Sequence, residues 1–362
     1  MAGKYVFWGG YAGNNLGDEA ILWALSRLIR KLDPAAEQFV FIPDGVSAAV
    51  EAQYKEWNIA VVSGPLLRCL GIFRHARLIV GGGQMIDDSS YAWPIGWSSI
   101  FIAVNKLWSH RPLVLCVGAE PLRKTIPRFL VRHFYGLAEV ITCRDEESST
   151  VVREAGVPAA KVWTTRDVVF SLDRSQLPQW EPGRSTVRTV AVAVAYDPAR
   201  VLEDVSRYKH LVIALRKLDF RVEFLAHDLR EAYDVQALRE VKKSFLDDEG
   251  VQVAHASNVA ETFDIYARVD AVISARMHPL IMGMLAGTLP IAYGGKAKVR
   301  SLLSNSAIPA IAADGEPREL ATQLDDVFAQ RDSIRRQLAE TAETYRYMVE
   351  EATSLALQHG RR

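Results

Sequence analysis

The stretch DAVISARMHPLIMGMLAGTLPIAYGGKAKV runs from Asp270 to Val299. It opens on a short apolar run, DAVIS, of the kind found in a strand covered on both faces. A longer apolar segment follows from Met277 and reads as a buried helix. TLPIAY then reads as a second strand, and the order strand, helix, strand implies parallel pairing. Arg276 and His278 occupy the junction between the first strand and the helix. A chain that only had to turn there would more often use Gly, Asn or Ser. A cation at a helix start also opposes the helix dipole, and a bound anion would reverse that penalty. Lys296 and Lys298, just beyond Gly294 and Gly295, could add positive charge.

The same alternation extends in both directions. KYVFWGG, FVFIPD (39–44), IAVVS (59–63), RLIVGGG (77–83), PLVLCVGAE (112–120) and EVITCRD (139–145) read as strands of one sheet. TVAVAVAY (189–196), RVEFLAH (221–227), VQVA, DAVIS and TLPIAY read as strands of a second, smaller one. Between strands, DEAILWALSRLIRKL carries Ile21, Leu22, Leu25, Leu28 and Ile29 at helical spacing. The polar, Pro-containing segment 171–189 is the expected boundary. The expected fold class is α/β, with two doubly wound Rossmann-like domains, 1–175 and 186–325, facing a cleft. A long charged helical tail, 326–362, ends the chain. Leu338, Tyr345, Met348 and Leu355 are its expected apolar contacts with the first domain.

Composition excludes several classes. The chain has 362 residues, with 43 Lys plus Arg against 43 Asp plus Glu, so bulk charge gives no reason to expect nucleic acid. Cys69, Cys116 and Cys143 form no CxxC pair, which argues against a zinc site or a disulfide framework. No acidic or histidine cluster has metal-ligand spacing, so neither metal nor cofactor is expected. The N-terminus lacks the apolar core of a signal peptide, and the apolar stretch 277–293 is broken by His278 and two prolines. The expected location is cytoplasmic, including the inner face of a membrane.

Other strand ends carry candidates. GGYAGNNLGDEAIL (9–22) fits neither a dinucleotide fingerprint nor a P-loop; it is a glycine loop opening a helix. The helix-start amides, with Asn14 and Asn15, suit an anion or sugar hydroxyls. Asp18 and Glu19 lie in the first helical turn, where complementing the dipole is the plainer role. Asp18, nearer the strand end, is the one kept as a site candidate. Gly82 and Gly83 either admit a ligand to the backbone or only turn the chain. Arg144 ends another strand; it suits a carboxylate or phosphate, or an ion pair with Asp145 or Glu146. His227 and Asp234 fit a site or a capping role equally. Trp93, Trp97 and Trp108 could stack a sugar or touch a membrane, with core packing the plainer expectation.

Taken together, the glycine loop with N-x-G-D-E-A-I-L, the triple glycine after a strand, C-R-D-E-E-S, and S-A-R-M-H-P-L-I-M-G-M-L-A-G-T-L-P-I-A-Y closely resemble the polysaccharide pyruvyl transferase family. The resemblance spans Gly10 to about Lys298. It implies a two-domain architecture similar to GT-B glycosyltransferases. The implied activity is transfer of a carboxyethylidene (pyruvyl ketal) group from phosphoenolpyruvate to two hydroxyls of a sugar in a cell-surface polysaccharide or glycolipid precursor. By the same resemblance Arg144, Arg276, Met277 through its backbone and His278 would contact phosphoenolpyruvate, with Lys296 placed by its own position to add charge to the donor site. His278 would serve as general acid and Asp18 as base on the acceptor hydroxyl. Asn14, Asn15, Gly82 and Gly83 would face the acceptor, a free or lipid-linked saccharide, with peripheral membrane contact where it is lipid-linked. GAEPL (118–122) and AVAYDP (193–198) depart from the family pattern in regions bearing on the acceptor. The alternatives are a nucleotide-sugar glycosyltransferase of the same architecture and a catalytically silent glycan-binding protein.

Overall fold

The computed structural model describes residues 3–65, 70–108, 110–183, 188–195, 201–295 and 297–359. The chain divides into two compact units. The first comprises residues 1–13, 18–172 and 344–362, and the second 14–17 and 173–343.

The sheet of the first unit uses β1 (Lys4–Trp8), β2 (Glu37–Phe41), β3 (Ile59–Val62), β4 (Arg77–Gly81), β5 (Gln84–Ile86), β6 (Leu113–Ala119), β7 (Val140–Cys143) and β8 (Val162–Thr164). Its order is β3-β2-β1-β4-β6-β7-β8, with β5 paired to β6. The second sheet uses β9 (Thr189–Ala193), β10 (Arg221–Leu225), β11 (Val251–Val253), β12 (Ala271–Ser274), β13 (Leu289–Tyr293) and β14 (Ala310–Ile311), in the order β11-β10-β9-β12-β13-β14. The pairings are parallel, for example Phe7 beside Ile79 and Ile273 beside Val192. Each sheet winds outward in both directions from a central strand, β1 or β9. The chain therefore reverses between β1 and β4, and again between β9 and β12. At such switch points the connections leave in opposite directions, so a crevice opens at the carboxyl ends of the strands.

The elements of the opening stretch fold as their pattern requires. All four residues of β12 are buried, as are all five of β13. α9 (Met277–Leu285 — the ninth α-helix of the described residues) is buried on nearly every side, which its uniform apolar character allows. Pro279 falls in its first turn, where no intrahelical bond is lost. Gly287, at φ +76, follows the helix in the left-handed conformation that ends it at little cost. Each sheet has its own apolar core, one including Trp8, Phe41, Phe73 and Phe101, the other Phe220, Phe224, Ile273 and Tyr293.

The long helical tail is α12 (Arg331–His359), preceded by α11 (Pro317–Ala329). Other expectations are corrected. Leu338 is buried but belongs to the second unit rather than the first; Tyr345 is buried in the first, Leu355 is 44% exposed, and the buried stripe continues through Val349 and Ala356. From Thr344 onward the helix belongs to the first unit. There the Thr165 hydroxyl donates to Met348 O at 3.1 Å, and Phe170 meets Tyr345 edge-on at 5.0 Å. Trp93 and Trp97 lay one side on the core rings of Trp8 and Phe101, at 5.3 and 5.8 Å, yet Trp93, Trp97 and Trp108 stay 43%, 37% and 48% exposed, so core packing accounts for only part of their surface.

Candidate functional site

In the second unit, the carboxyl ends of β9 and β12 are tied by Ser274. Its hydroxyl donates to Ala193 O at 2.8 Å and accepts from Arg276 N at 3.0 Å. This fixes Arg276 at the cap position of α9, in extended backbone, with no side-chain cap on the helix. The opening amides of α9, Met277 among them, are thus left at the switch point, where a helix start attracts an anion.

The cation at this junction has a partner that local pattern did not reveal. Arg276 Nη2 donates to Asp234 Oδ1 at 2.5 Å, while Asp234 Oδ2 accepts from the backbone of His227 and Asp228 at 3.3 and 2.9 Å. Asp234 is fully buried; its burial raises its pKa, and Arg276 acts in the opposite direction. The Asp234 carboxylate thus has two sets of contacts, the strand-end backbone on one oxygen and the arginine on the other. It holds the strand-end loop and orients the arginine. His227 is also buried, with Nε2 at 2.5 Å from the Tyr266 hydroxyl. Burial, then the charges of Arg276 and His278, lower its pKa to about 3, so it stays neutral beside the cation.

His278 projects from the first turn of α9 and is half-buried. Its neighbour is Gly17: a Cβ added there would lie 2.2 Å from His278 Nδ1. Residues 14–17 belong to the second unit. Leu16 N donates to His227 O and Leu229 N to Asn14 O, each at 2.9 Å. Asn15 accepts from Gly17 N with its side-chain oxygen, while the Asn14 side chain is exposed.

In the first unit, glycine loops follow β1 and β4 at the other switch point. Gly82 and Gly83 both have positive φ, +62 and +70, and a Cβ on Gly82 would lie 2.1 Å from Ile21. Here glycine is needed for the turn itself. The Asp18 carboxylate sits between the loops, within 3.2 Å of a Cβ position on Gly10 and 3.6 Å of one on Gly83. Glu19, beside it, has turned inward: it accepts from Ala12 N, Gly13 N and the Tyr54 hydroxyl at 3.1, 2.8 and 2.9 Å. Burial raises its pKa despite these bonds. Glu19 thus organises the glycine loop, a stronger task than complementing a dipole.

Arg144, at the end of β7, is 5% exposed and lies over Gly118, where a Cβ would come within 2.4 Å of its guanidinium carbon. It donates to Gln84 Oε1 at 2.9 Å and has Asp145 at 3.5 Å and Asp167 at 4.0 Å. Glu146, the other partner considered, pairs with Arg153 instead, at 2.7 Å. Arg144, Asp18, Gly82 and Gly83 thus belong to the first unit, and Arg276, Met277, His278, Asn14 and Asn15 to the second. Lys296 lies outside the described residues. Among the described residues no group of three His, Cys, Asp or Glu side chains is placed to hold a metal ion.

Two parallel α/β units, each with glycine-built or cationic strand ends, give a GT-B-like fold. Solved structures share this fold over nearly the whole chain. The Anabaena protein HepE, in complex with UDP and glucose, matches with a TM-score of 0.67 at 12% identity, covering 99% of this chain and 100% of that one. A UDP-GlcNAc 2-epimerase from Neisseria meningitidis, bound to UDP-GlcNAc, gives 0.66 at 11% identity, over 99% and 100%. A glycosyltransferase from Rickettsia africae gives 0.63 at 13% identity, over 99% and 98%. No curated protein matches the chain in sequence. The family model of polysaccharide pyruvyl transferase matches residues 15–295; the chain belongs to that family and is a transferase.

Proposed function

We propose that the protein transfers a pyruvyl ketal group from phosphoenolpyruvate to two hydroxyls of a saccharide, free or lipid-linked, releasing phosphate. The observation that carries the reading is the β12–α9 junction. A half-buried arginine, open helix amides and a titratable ring converge there at a switch point. Arg276 suits a carboxylate or phosphate because its fork offers parallel, charge-assisted bonds. Arg144, on family membership, and Lys296, on its place in the sequence just beyond Gly294 and Gly295, are further donor contacts of this reading.

The chemistry begins with a proton added to the donor's methylene carbon, which places positive charge on C2. One sugar hydroxyl attacks C2 and loses its proton. The C2–O bond to phosphate breaks, and the second hydroxyl closes the ketal, giving up its proton to the departing phosphate. His278 is the proposed proton donor, since imidazole exchanges protons near neutral pH. Asp18, with Asn14, Asn15, Gly82 and Gly83, is assigned to the acceptor, Asp18 as its base. The cationic groups neutralise charge developing on the departing phosphate. The protein acts in the cytoplasm, with peripheral contact at the membrane's inner face when the acceptor is lipid-linked.

The test is incubation with phosphoenolpyruvate and candidate glycans, followed by mass measurement. The expected result is a pyruvate-ketal gain with one phosphate released. A hexose-sized gain from a nucleotide sugar would replace this reading with glycosyl transfer, and no gain from either donor would leave a glycan-binding protein.

A further inference from the structure

Twelve large apolar side chains are exposed among the described residues, and eight of them lie between Tyr91 and Phe129. They fall largely on α3 (Ile95–Leu107) and α4 (Thr125–His133), neighbouring helices of the first unit. α3 buries Ile95, Phe101, Ile102 and Asn105 on one side. On the other, Trp97, Ile100 and Leu107 continue from Trp93 at helical spacing, and Leu107 is 82% exposed. On α4, Ile126 and Phe129 stand outward one turn apart, 53% and 54% exposed. Apolar residues on the solvent side of a helix whose inner face is already packed mark a surface that meets something else.

Charge says what that something is. From Ser89 to Phe134 the chain has six Lys and Arg against one acidic residue, Glu120, a net of +5 in a chain whose total is zero. Arg123, Lys124, Arg128 and Arg132 are exposed on or beside α4. Cations and aromatics interleave: the Lys124 ammonium lies 5.1 Å from the Tyr91 ring centre and the Arg74 guanidinium 5.1 Å from that of Trp108. Asp88 is engaged inward, accepting from the backbone of Arg123 and Lys124. A second copy of the same face would bring like charge against like charge. An anionic surface with an apolar interior matches both components, since aromatic rings settle at headgroup depth and basic side chains meet lipid phosphate. No helix of the described residues is long and apolar enough to cross a membrane, which leaves surface attachment.

We propose that the α3–α4 face of the first unit docks on an anionic lipid bilayer. The proposal rests on the peripheral-contact part of the functional reading above and names the surface that makes the contact. It is tested with the full chain and vesicles of phosphatidylcholine, with or without phosphatidylglycerol, in the absence of donor and acceptor. A failure here is therefore separate from a failure of ketal transfer. The chain is expected to sediment with the anionic vesicles and to be released by salt. Leu107→Ser with Phe129→Ser should abolish binding while leaving the melting temperature close to the parent's, because both side chains are exposed. Lys124→Gln and Arg128→Gln should weaken binding roughly fivefold per charge removed. The proposal is overturned by no sedimentation at low salt, or by binding that these variants leave unchanged. It is also overturned by concentration-dependent self-association that Leu107→Ser with Phe129→Ser abolishes, which would make the face a contact between copies.

Discussion

The two strand-end arginines occupy comparable positions in the two units and live in different surroundings. Arg144 has a side chain only 4% exposed, enclosed by Gln84, Asp145 and Asp167. Arg276 is 24% exposed and answers one buried carboxylate, Asp234. Arginine at a strand end is thus not one device. Arg144 is largely spent on its own unit, whereas Arg276 keeps part of its fork available and is held in place from behind. Because Arg276 is paired with Asp234, its removal acts on stability as well as on anion binding.

The largest effect expected is at His278, which shares the α9 start with Arg276. His278→Gln keeps hydrogen bonding but delivers no proton, so turnover should fall roughly 10²–10⁴-fold. Calorimetric binding of phosphoenolpyruvate should persist. Equal turnover in parent and variant would move the acid to another group.

Arg144→Ala should cost about 3 kcal/mol of unfolding free energy, the lower end for breaking a buried pair, because Asp145 and Asp167 lose their cation. Denaturant midpoints measure this. An unchanged midpoint would erase the distinction between the arginines.

Arg276→Ala should weaken donor binding by roughly one to two orders of magnitude, as charge-assisted bonds of about 1.5–3 kcal/mol are lost. Arg276→Lys should restore only part of this, since a point charge cannot reproduce the fork. Asp234→Asn should also weaken donor binding while leaving the arginine present. If it binds the donor as the parent does, the carboxylate does not orient Arg276.

A smaller effect concerns pH. His227 titrates near 6.5 when unfolded and is lowered to about 3 when folded. Below pH 6.5 the unfolded chain binds the extra proton, so stability is lost as pH falls, by about 1.4 kcal/mol per unit, until about pH 3. Asp234 and Glu19, whose pKa values are raised, contribute with the opposite sign. The comparison is therefore the parent against His227→Phe: the variant should show a flatter fall in denaturant midpoint between pH 7 and 5. The smallest effect is that of a chelator, which should leave ketal transfer unchanged; activity restored only by magnesium would reveal a metal requirement.

Much of the fold was legible because its signals are local. Apolar runs such as VITC and AVIS, and the helical spacing of Ile21, Leu25 and Leu28, are periodicities that any short window contains. The strands that escaped reading, β5, β8 and β14, have three, three and two residues, too few to show a period. In the tail, the buried face differed from the expected one at Leu355. A residue misplaced by one position turns 100° around a helix, and packing alone selects the face.

The site divides along the same line. Sequence by itself determined that Arg276 and His278 stand where a strand gives way to a helix, and that glycines follow β1 and β4, because those relations span only a few residues. Tertiary structure alone decided that Asp234, 42 residues away, would hold Arg276. It also decided that Gly17 would make room for His278, that Glu19 would turn inward while Asp18 did not, and that three tryptophans would face outward. Such contacts depend on the order in which strands join a sheet and on which helix face each unit covers. Both are settled by burying the whole apolar surface at once, and no local pattern carries that information.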